Sequence, residues 1–138
     1  MNILVDTSIW SLALRRQNPS IENVVIFEFK SLIQESRVEI IGPIRQEILS
    51  GIKSKNQFEI LRKQLSAYPD LPLLEEDYER AAQFYNVNRG KGIQGSNTDF
   101  LICAVADRCN LAVFTTDKDF SHYQRHIPLI LHEARTSK

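Results

Sequence analysis

Strand-like and helix-like segments alternate along this 138-residue chain, which predicts an α/β protein with a central parallel sheet flanked by helices. Three observations carry that expectation. Short, mostly apolar runs recur at Ile3-Leu4-Val5, Val38-Glu39-Ile40-Ile41, Leu111-Ala112-Val113-Phe114-Thr115 and Pro128-Leu129-Ile130-Leu131, as expected of strands largely buried in a sheet. The stretches between them place apolar residues at helical spacing and are punctuated by Ser, Gly, Pro and Asn. Composition is average for a globular chain, 43% hydrophobic and 25% charged, and the length suits one domain, residues 1–138, able to bury its own core.

The first run ends at Asp6. Thr7 or Ser8 is expected to cap a helix carrying Ile9, Trp10, Leu12 and Leu14 that stops before Pro19. Ser20 is expected to cap a second helix, whose Val24, Val25, Phe27, Phe29, Leu32 and Ile33 form a broad apolar face. The second strand is closed by Gly42; Pro43 then suits a first helical turn, and Gly51 the position just past the helix end. Ser54-Lys55-Asn56-Gln57 has the capping-box form ahead of Phe58, Leu61 and Leu65. Pro69 and Pro72 bracket a turn, after which Glu75, Glu76 and Asp77 favour the positive end of a helix bearing Tyr78, Ala81, Ala82 and Tyr85. A loop with Gly90, Gly92 and Gly95 follows, then a helix from about Thr98 to Arg108, capped by Asn97 or Ser96 and stopped by Asn110. The third and fourth strands complete the chain. Trp10, Phe27, Phe29, Phe58, Tyr78 and Tyr85 are expected mostly in the core.

Several function classes are disfavoured at this stage. No apolar stretch approaches a membrane span, and the N-terminus lacks the pattern of a secretory signal. Cys103 and Cys109 then read as reduced thiols of a cytoplasmic protein. The 17 Lys and Arg balance 17 Asp and Glu, which at first argues against gripping nucleic acid by bulk charge.

In parallel α/β sheets ligands bind beyond the carboxyl ends of the strands, so the residues there are the first candidates. Asp6 follows the first strand directly, and Asp117 follows Thr115 closely. Asp99 falls in the first turn of its helix and Glu47 within the helix that begins at Pro43. Singly, each has an ordinary explanation: a helix cap for Asp6, the helix dipole for Asp99, a solvated surface for Glu47, a turn for Asp117. If Asp99 and Glu47 face the same edge, four carboxylates converge. Like charges about 4 Å apart repel by about 4 kcal/mol at an effective dielectric near 20, and a hard divalent ion such as Mg²⁺, with oxygen ligands and retained waters, removes that cost. Such a site supports metal-assisted phosphodiester hydrolysis.

These residues resemble the PIN domain superfamily of metal-dependent ribonucleases. The resemblance lies in Ile3-Leu4-Val5-Asp6-Thr7-Ser8, in Ile44-Arg45-Gln46-Glu47-Ile48-Leu49, in the D-x-x-I-A-A-x-A-like Asp99-Phe100-Leu101-Ile102-Cys103-Ala104-Val105-Ala106, and in the T-x-D-x-D-F motif Thr115-Thr116-Asp117-Lys118-Asp119-Phe120. Order and spacing match over essentially the whole chain; Cys103 stands where Ala is usual. The small size looks like the VapC toxins of bacterial toxin–antitoxin pairs. The resemblance implies a Mg²⁺- or Mn²⁺-dependent endoribonuclease acting on RNA, neutralised by a cognate antitoxin protein and usually a homodimer. It implies that Asp6, Glu47, Asp99 and Asp117 are catalytic and hold metal, with Thr7, Thr115 and Asp119 supporting them or meeting substrate. Asp117 and Asp119 both follow the strand closely, so either could be the fourth acid.

Rival signals are weaker. Gly90-Lys91-Gly92-Ile93-Gln94-Gly95 matches a dinucleotide fingerprint literally, but a helix rather than a strand precedes it and no acid stands 20 residues on. His122 and His126 have zinc-pair spacing without a third ligand. Asp6 as an aspartyl-phosphate lacks the second Asp two residues on, where Ser8 stands. Arg89 and Lys91 in the glycine loop, and Lys53, Lys55, Arg62 and Lys63 after Glu47, are candidates for phosphate contacts or simply solvated faces. The alternative on the same fold is a catalytically silent RNA- or partner-binding module, whose mark would be loss of an acid; all four are present. Setting those four aside leaves 17 positive and 13 negative groups, so formal neutrality is compatible with an RNA-binding face.

Overall fold

The computed structural model describes residues 1–15 and 21–135. Its centre is a parallel sheet ordered β2-β1-β3, with β1 (Ile3–Val5) between β2 (Val38–Glu39) and β3 (Ala112–Phe114). Ile3 pairs with Val38 on one side, and Ile3, Leu4 and Val5 pair with Ala112, Val113 and Phe114 on the other. Strands β1 and β3 are wholly buried, which is why their sequences run apolar without alternation.

Among the described residues seven helices surround the sheet: α1 (Thr7–Arg15), α2 (Ile21–Gln34), α3 (Gly42–Leu49), α4 (Lys55–Leu65), α5 (Glu75–Gly90), α6 (Asn97–Cys109) and α7 (Asp119–Tyr123). Helix α6 is the most deeply placed, with every residue from Phe100 to Ala106 buried. A helix apolar all round has to be enclosed, and α5 on one side and β3 on another enclose it. The α5–α6 pair is clamped by Arg108, whose Nε and Nη2 donate to the two oxygens of Asp77 at 2.7 and 2.9 Å. The same carboxylate caps α5, accepting from the Leu74 N–H at 2.8 Å. Burial pushes the Asp77 carboxyl up, but the Arg108 hydrogen bonds, the Leu74 N–H and the Arg108 charge outweigh it and hold the group below its usual range.

The expected α4 and α6 caps form at Ser54 and Ser96, whose hydroxyls accept from Gln57 N–H and Asp99 N–H. Asn110 stops α6 in the left-handed region at φ 58°, and Gly51 takes φ 88° just past α3. Four expectations need correction. The second strand is shorter than Val38–Ile41: Ile40 turns to bridge Asp70, and the extended Ile41 serves as the N-cap of α3. The fourth strand reduces to a single parallel bridge between Leu131 and Val113, since Pro128 has no N–H to lend a ladder. Gly90 belongs to the end of α5, and Gly92, at φ 80°, makes the turn that follows. Of the six aromatics expected mostly in the core, Trp10 and Phe29 are buried and meet edge to face, whereas Phe27 and Tyr78 are more than half exposed. The expected stop before Pro19 and cap at Ser20 lie outside the described residues. Among those described, no helix is long and apolar enough to cross a membrane.

Candidate active site

The parallel sheet sends the chain out of β1 and β3 at the same edge, and the acids that follow these strands come together there. Asp6 is buried, and its main-chain N–H donates to the Phe114 carbonyl at 2.9 Å, continuing the β1–β3 ladder by one step. Its carbonyl then accepts from Ile9 at 3.0 Å, opening α1. Capping of α1 by the Thr7 or Ser8 side chain does not occur, because both hydroxyls serve carboxylates instead. Ser8 Oγ donates to Asp6 Oδ2 at 2.9 Å, and Thr7 Oγ1 donates to Glu47 Oε1 at 2.6 Å. Thr115 Oγ1, at the end of β3, also donates to Asp6 Oδ2, at 2.8 Å, and accepts the Asp117 N–H at 2.9 Å. The Ser8 oxygen accepts the Thr116 N–H at 3.1 Å. The loops after β1 and β3 are thereby laced together by two hydroxyls.

Asp99 stands one turn into α6. Its carboxylate does not cap the helix; Oδ2 accepts the Tyr123 hydroxyl at 2.7 Å. Burial pushes the Asp99 carboxyl above its usual range; hydrogen bonds from Tyr123 and Ser96 oppose this, and the nearby charges of Asp6 and Asp117 add to it. Asp6 and Asp117 thus lie near enough to Asp99 for their charges to bear on it. Cys103, one turn below Asp99, is kept a neutral thiol by burial first and then by the Asp99 and Asp6 charges.

Each of the four acids has one oxygen engaged. Asp6 Oδ2 takes Ser8 and Thr115, Glu47 Oε1 takes Thr7, Asp99 Oδ2 takes Tyr123, and Asp117 Oδ1 takes the Asp119 N–H at 2.9 Å. The other oxygen of each accepts no hydrogen bond from the described residues. Asp119 itself is exposed at the start of α7. A set of carboxylates held by hydroxyls or a main-chain N–H and with free oxygens is the donor chemistry a hard divalent cation takes, so in kind the residues fit such an ion. As they stand, however, no three His, Cys, Asp or Glu side chains among the described residues are gathered closely enough to hold one.

The rival signals find no support in this geometry. His122 lies on α7, whereas His126 falls beyond its end, so they share no helix face. The glycine run follows helix α5, and Arg89 folds back on Tyr85, donating to its hydroxyl at 2.7 Å. Sequence reasoning missed Ser8 and Tyr123. For Ser8 the signal was present, a hydroxyl two residues past a strand-end acid; for Tyr123, 24 residues beyond Asp99, only the fold supplies the connection.

A family model for the PIN domain matches residues 3–126, nearly the whole chain and all four acids. The chain belongs to the PIN domain family. Among curated relatives, a VapC ribonuclease of Mycobacterium bovis, Mb1587, and ribonuclease VapC11 of Mycobacterium tuberculosis are each 31% identical over 123 residues, covering 86% of this chain and 88% of theirs. Among solved structures, FitAcB from Neisseria gonorrhoeae superposes with a TM-score of 0.75 at 23% identity, covering 96% of this chain and 97% of that one. VapBC2 from Rickettsia felis, solved bound to a DNA fragment from its promoter, also gives 0.75, at 20% identity over 96% and 98%. The α/β architecture with its parallel sheet is thus the PIN fold.

Proposed function

We propose that this PIN domain, acting as one unit over residues 1–138, is a divalent-metal-dependent endoribonuclease and the toxin of a VapBC-type pair, restrained by a cognate antitoxin and active as a homodimer. The observation that carries the nuclease reading is the set of four strand-edge carboxylates, each held by one oxygen and open at the other. The 31% identity to VapC ribonucleases supports the substrate class, and the likeness of fold to VapBC2 supports an antitoxin partner.

Asp6, Glu47, Asp99 and Asp117 would hold Mg²⁺ or Mn²⁺. We favour Asp117 over Asp119 because Asp117 is tied to Thr115 and acts on Asp99, while Asp119 is exposed and contributes its N–H to Asp117. A bound divalent ion supplies two things here, a water acidified for attack and positive charge on the scissile phosphate. The chain's own part is positional. Thr115 and Ser8 orient Asp6, Thr7 orients Glu47, and Thr115 fixes the loop that carries Asp117. No His stands beside the Ser8 hydroxyl to activate it as a nucleophile, and Ser8 is committed to Asp6. RNA would approach with its phosphates toward the exposed cations Lys53, Lys55 and Lys63, part of the excess of 17 positive over 13 negative groups left outside the acids.

The test is cleavage of structured and single-stranded RNAs by the purified chain with Mg²⁺ or Mn²⁺, with EDTA, and by Asp6→Asn and Asp99→Asn. Cleavage that needs the metal and both carboxylates is expected. Equal cleavage by wild type and both variants would sink the metal-nuclease reading, and RNA binding by all of them without cleavage would favour the silent binding module. Copurification of a small partner encoded beside this chain tests the toxin assignment separately.

A further inference from the structure

The last glycine of the Gly90–Gly95 run packs against Tyr123 and Phe100, beside the candidate active site. Gly95 does not use a left-handed backbone, unlike Gly51 and Gly92, so conformational freedom does not account for it. Space does. A Cβ at this position would stand 2.5 Å from the Tyr123 hydroxyl oxygen, 2.8 Å from Tyr123 Cζ and 2.8 Å from Phe100 Cε2. Tyr123 is completely buried, its ring 4.7 Å from Phe100 and 5.2 Å from Phe120 between centroids. Phe100 in turn meets Tyr85 edge to face at 5.9 Å. A methyl group there could be admitted only by displacing Tyr123 or Phe100 from this packing.

A phenylalanine would fill that aromatic pocket as well. A buried hydroxyl costs free energy unless it is hydrogen-bonded, and this one is spent on Asp99 Oδ2, at 2.7 Å. Asp99 is also the acid on which the charges of Asp6 and Asp117 both bear. The bond therefore does two things: it fixes Oδ2 of Asp99, and it leaves Oδ1 as the oxygen free to bind. Resting on the metal-site reading above, we infer that Tyr123 is a positioning residue for Asp99, and that Gly95 is a glycine because the Tyr123 hydroxyl occupies the place of its side chain. The residue acts on cation affinity through Asp99 and touches neither substrate nor cation.

Calorimetric titration of the full chain with Mn²⁺ tests this, using wild type, Tyr123→Phe, Gly95→Ala, Phe120→Leu and Asp99→Asn, each checked for folding by circular dichroism and thermal melting. Removing a hydrogen-bond partner of a metal ligand lowers metal affinity or activity by about 10–100-fold. Tyr123→Phe is accordingly expected to bind Mn²⁺ at least 10-fold more weakly than wild type. Its RNA cleavage should fall at limiting Mg²⁺, recover at high Mg²⁺, and show an unchanged KM for RNA. Gly95→Ala keeps the hydroxyl but displaces it, and should copy the affinity loss. Phe120→Leu loosens the same pocket without touching the hydroxyl, and should melt earlier yet bind Mn²⁺ as wild type does. Wild-type affinity in Tyr123→Phe overturns the inference. If Tyr123→Phe does not fold, wild-type affinity in a folded Gly95→Ala overturns it equally, as does an affinity loss in Phe120→Leu as large as that in Gly95→Ala. Absence of Mn²⁺ binding by wild type would remove the metal-site reading itself, and this inference with it; loss in Asp99→Asn alone, with Tyr123→Phe unaffected, removes only this one.

Discussion

Replacing Asp99 by Asn should make the metal-free protein more stable while ending its activity. Asp99 carries a charge that burial disfavours and that Asp6 and Asp117 both oppose. Unit charges about 6 Å apart repel by roughly 3 kcal/mol at an effective dielectric near 20, before further screening by solvent and salt. Against this, the Tyr123 hydroxyl bond at 2.7 Å survives the substitution, because the Asn carbonyl still accepts. It weakens from a charge-assisted bond of about 1.5–3 kcal/mol to a neutral one of about 1 kcal/mol. The difference is a net gain of about 1 kcal/mol, within the ~0.5–2 kcal/mol that a single stabilising substitution commonly gives. Urea unfolding in EDTA at pH 7 measures it: Asp99→Asn should have the higher midpoint at unchanged slope. Adding Mn²⁺ should reverse the order, since a ligand at 100 times its dissociation constant stabilises the form that binds it by about 2.7 kcal/mol. An Asp99→Asn variant less stable than wild type in EDTA would show that the carboxylate is held by favourable interactions, and the crowding argument would fail.

Thr115→Val removes the hydroxyl that donates to Asp6 and accepts from Asp117; RNA cleavage at saturating Mg²⁺ should fall about 10–100-fold with the circular dichroism spectrum unchanged, and a wild-type rate would separate Thr115 from the site. Asp77→Asn weakens the clamp between α5 and α6, at an expected cost of about 2 kcal/mol by urea unfolding at pH 7, below the 3–5 kcal/mol of a fully buried pair because Arg108 reaches water. Asp77 has its folded-state carboxyl held below the usual range, so its contribution is present above the unfolded value near 4 and is lost as pH falls through the folded value. The stability gap between wild type and Asp77→Asn should therefore close on acidification, and a gap that widens would contradict the assignment.

What the sequence made legible follows from how local each feature is. That Asp6 and Asp117 follow β1 and β3 was legible because a buried apolar run fixes where a strand ends, and parallel strands end on one side. The direction of Glu47 and Asp99 was conditional, since a helix position does not state which way its face is turned; the Thr7 and Tyr123 bonds now supply that direction. Ser54, Ser96 and Asn110 were readable because capping is settled within four residues. Ile40 and Ile41 were misassigned because their apolarity suits a strand equally well; competition from the Pro43 helix start and the bridge to Asp70 ended β2 early. Leu131 shows the same limit, an apolar run that the sheet uses at one residue only.

Formal neutrality is the least informative number this chain offers, because charge here is sorted rather than balanced. Asp6 and Asp117 bear on Asp99 near one sheet edge, with Glu47 tied in through Thr7, and the hydroxyls of Thr7, Ser8, Thr115 and Tyr123 and the Asp119 N–H hold these carboxylates without neutralising them. A hydroxyl orients a carboxylate and lessens its charge only in part, so each bond keeps an oxygen in place while the site as a whole stays electronegative. An arginine in the same position would have satisfied the acids fully and closed the site to a cation. The one arginine that does pair with a buried carboxylate in α5–α6, Arg108, clamps Asp77, which belongs to the scaffold. Scaffold acids are matched with cations and strand-edge acids with neutral donors. That division gives a direct electrostatic expectation: RNA affinity should rise with divalent ion concentration as the edge is neutralised, and fall with monovalent salt as the exposed lysines are screened.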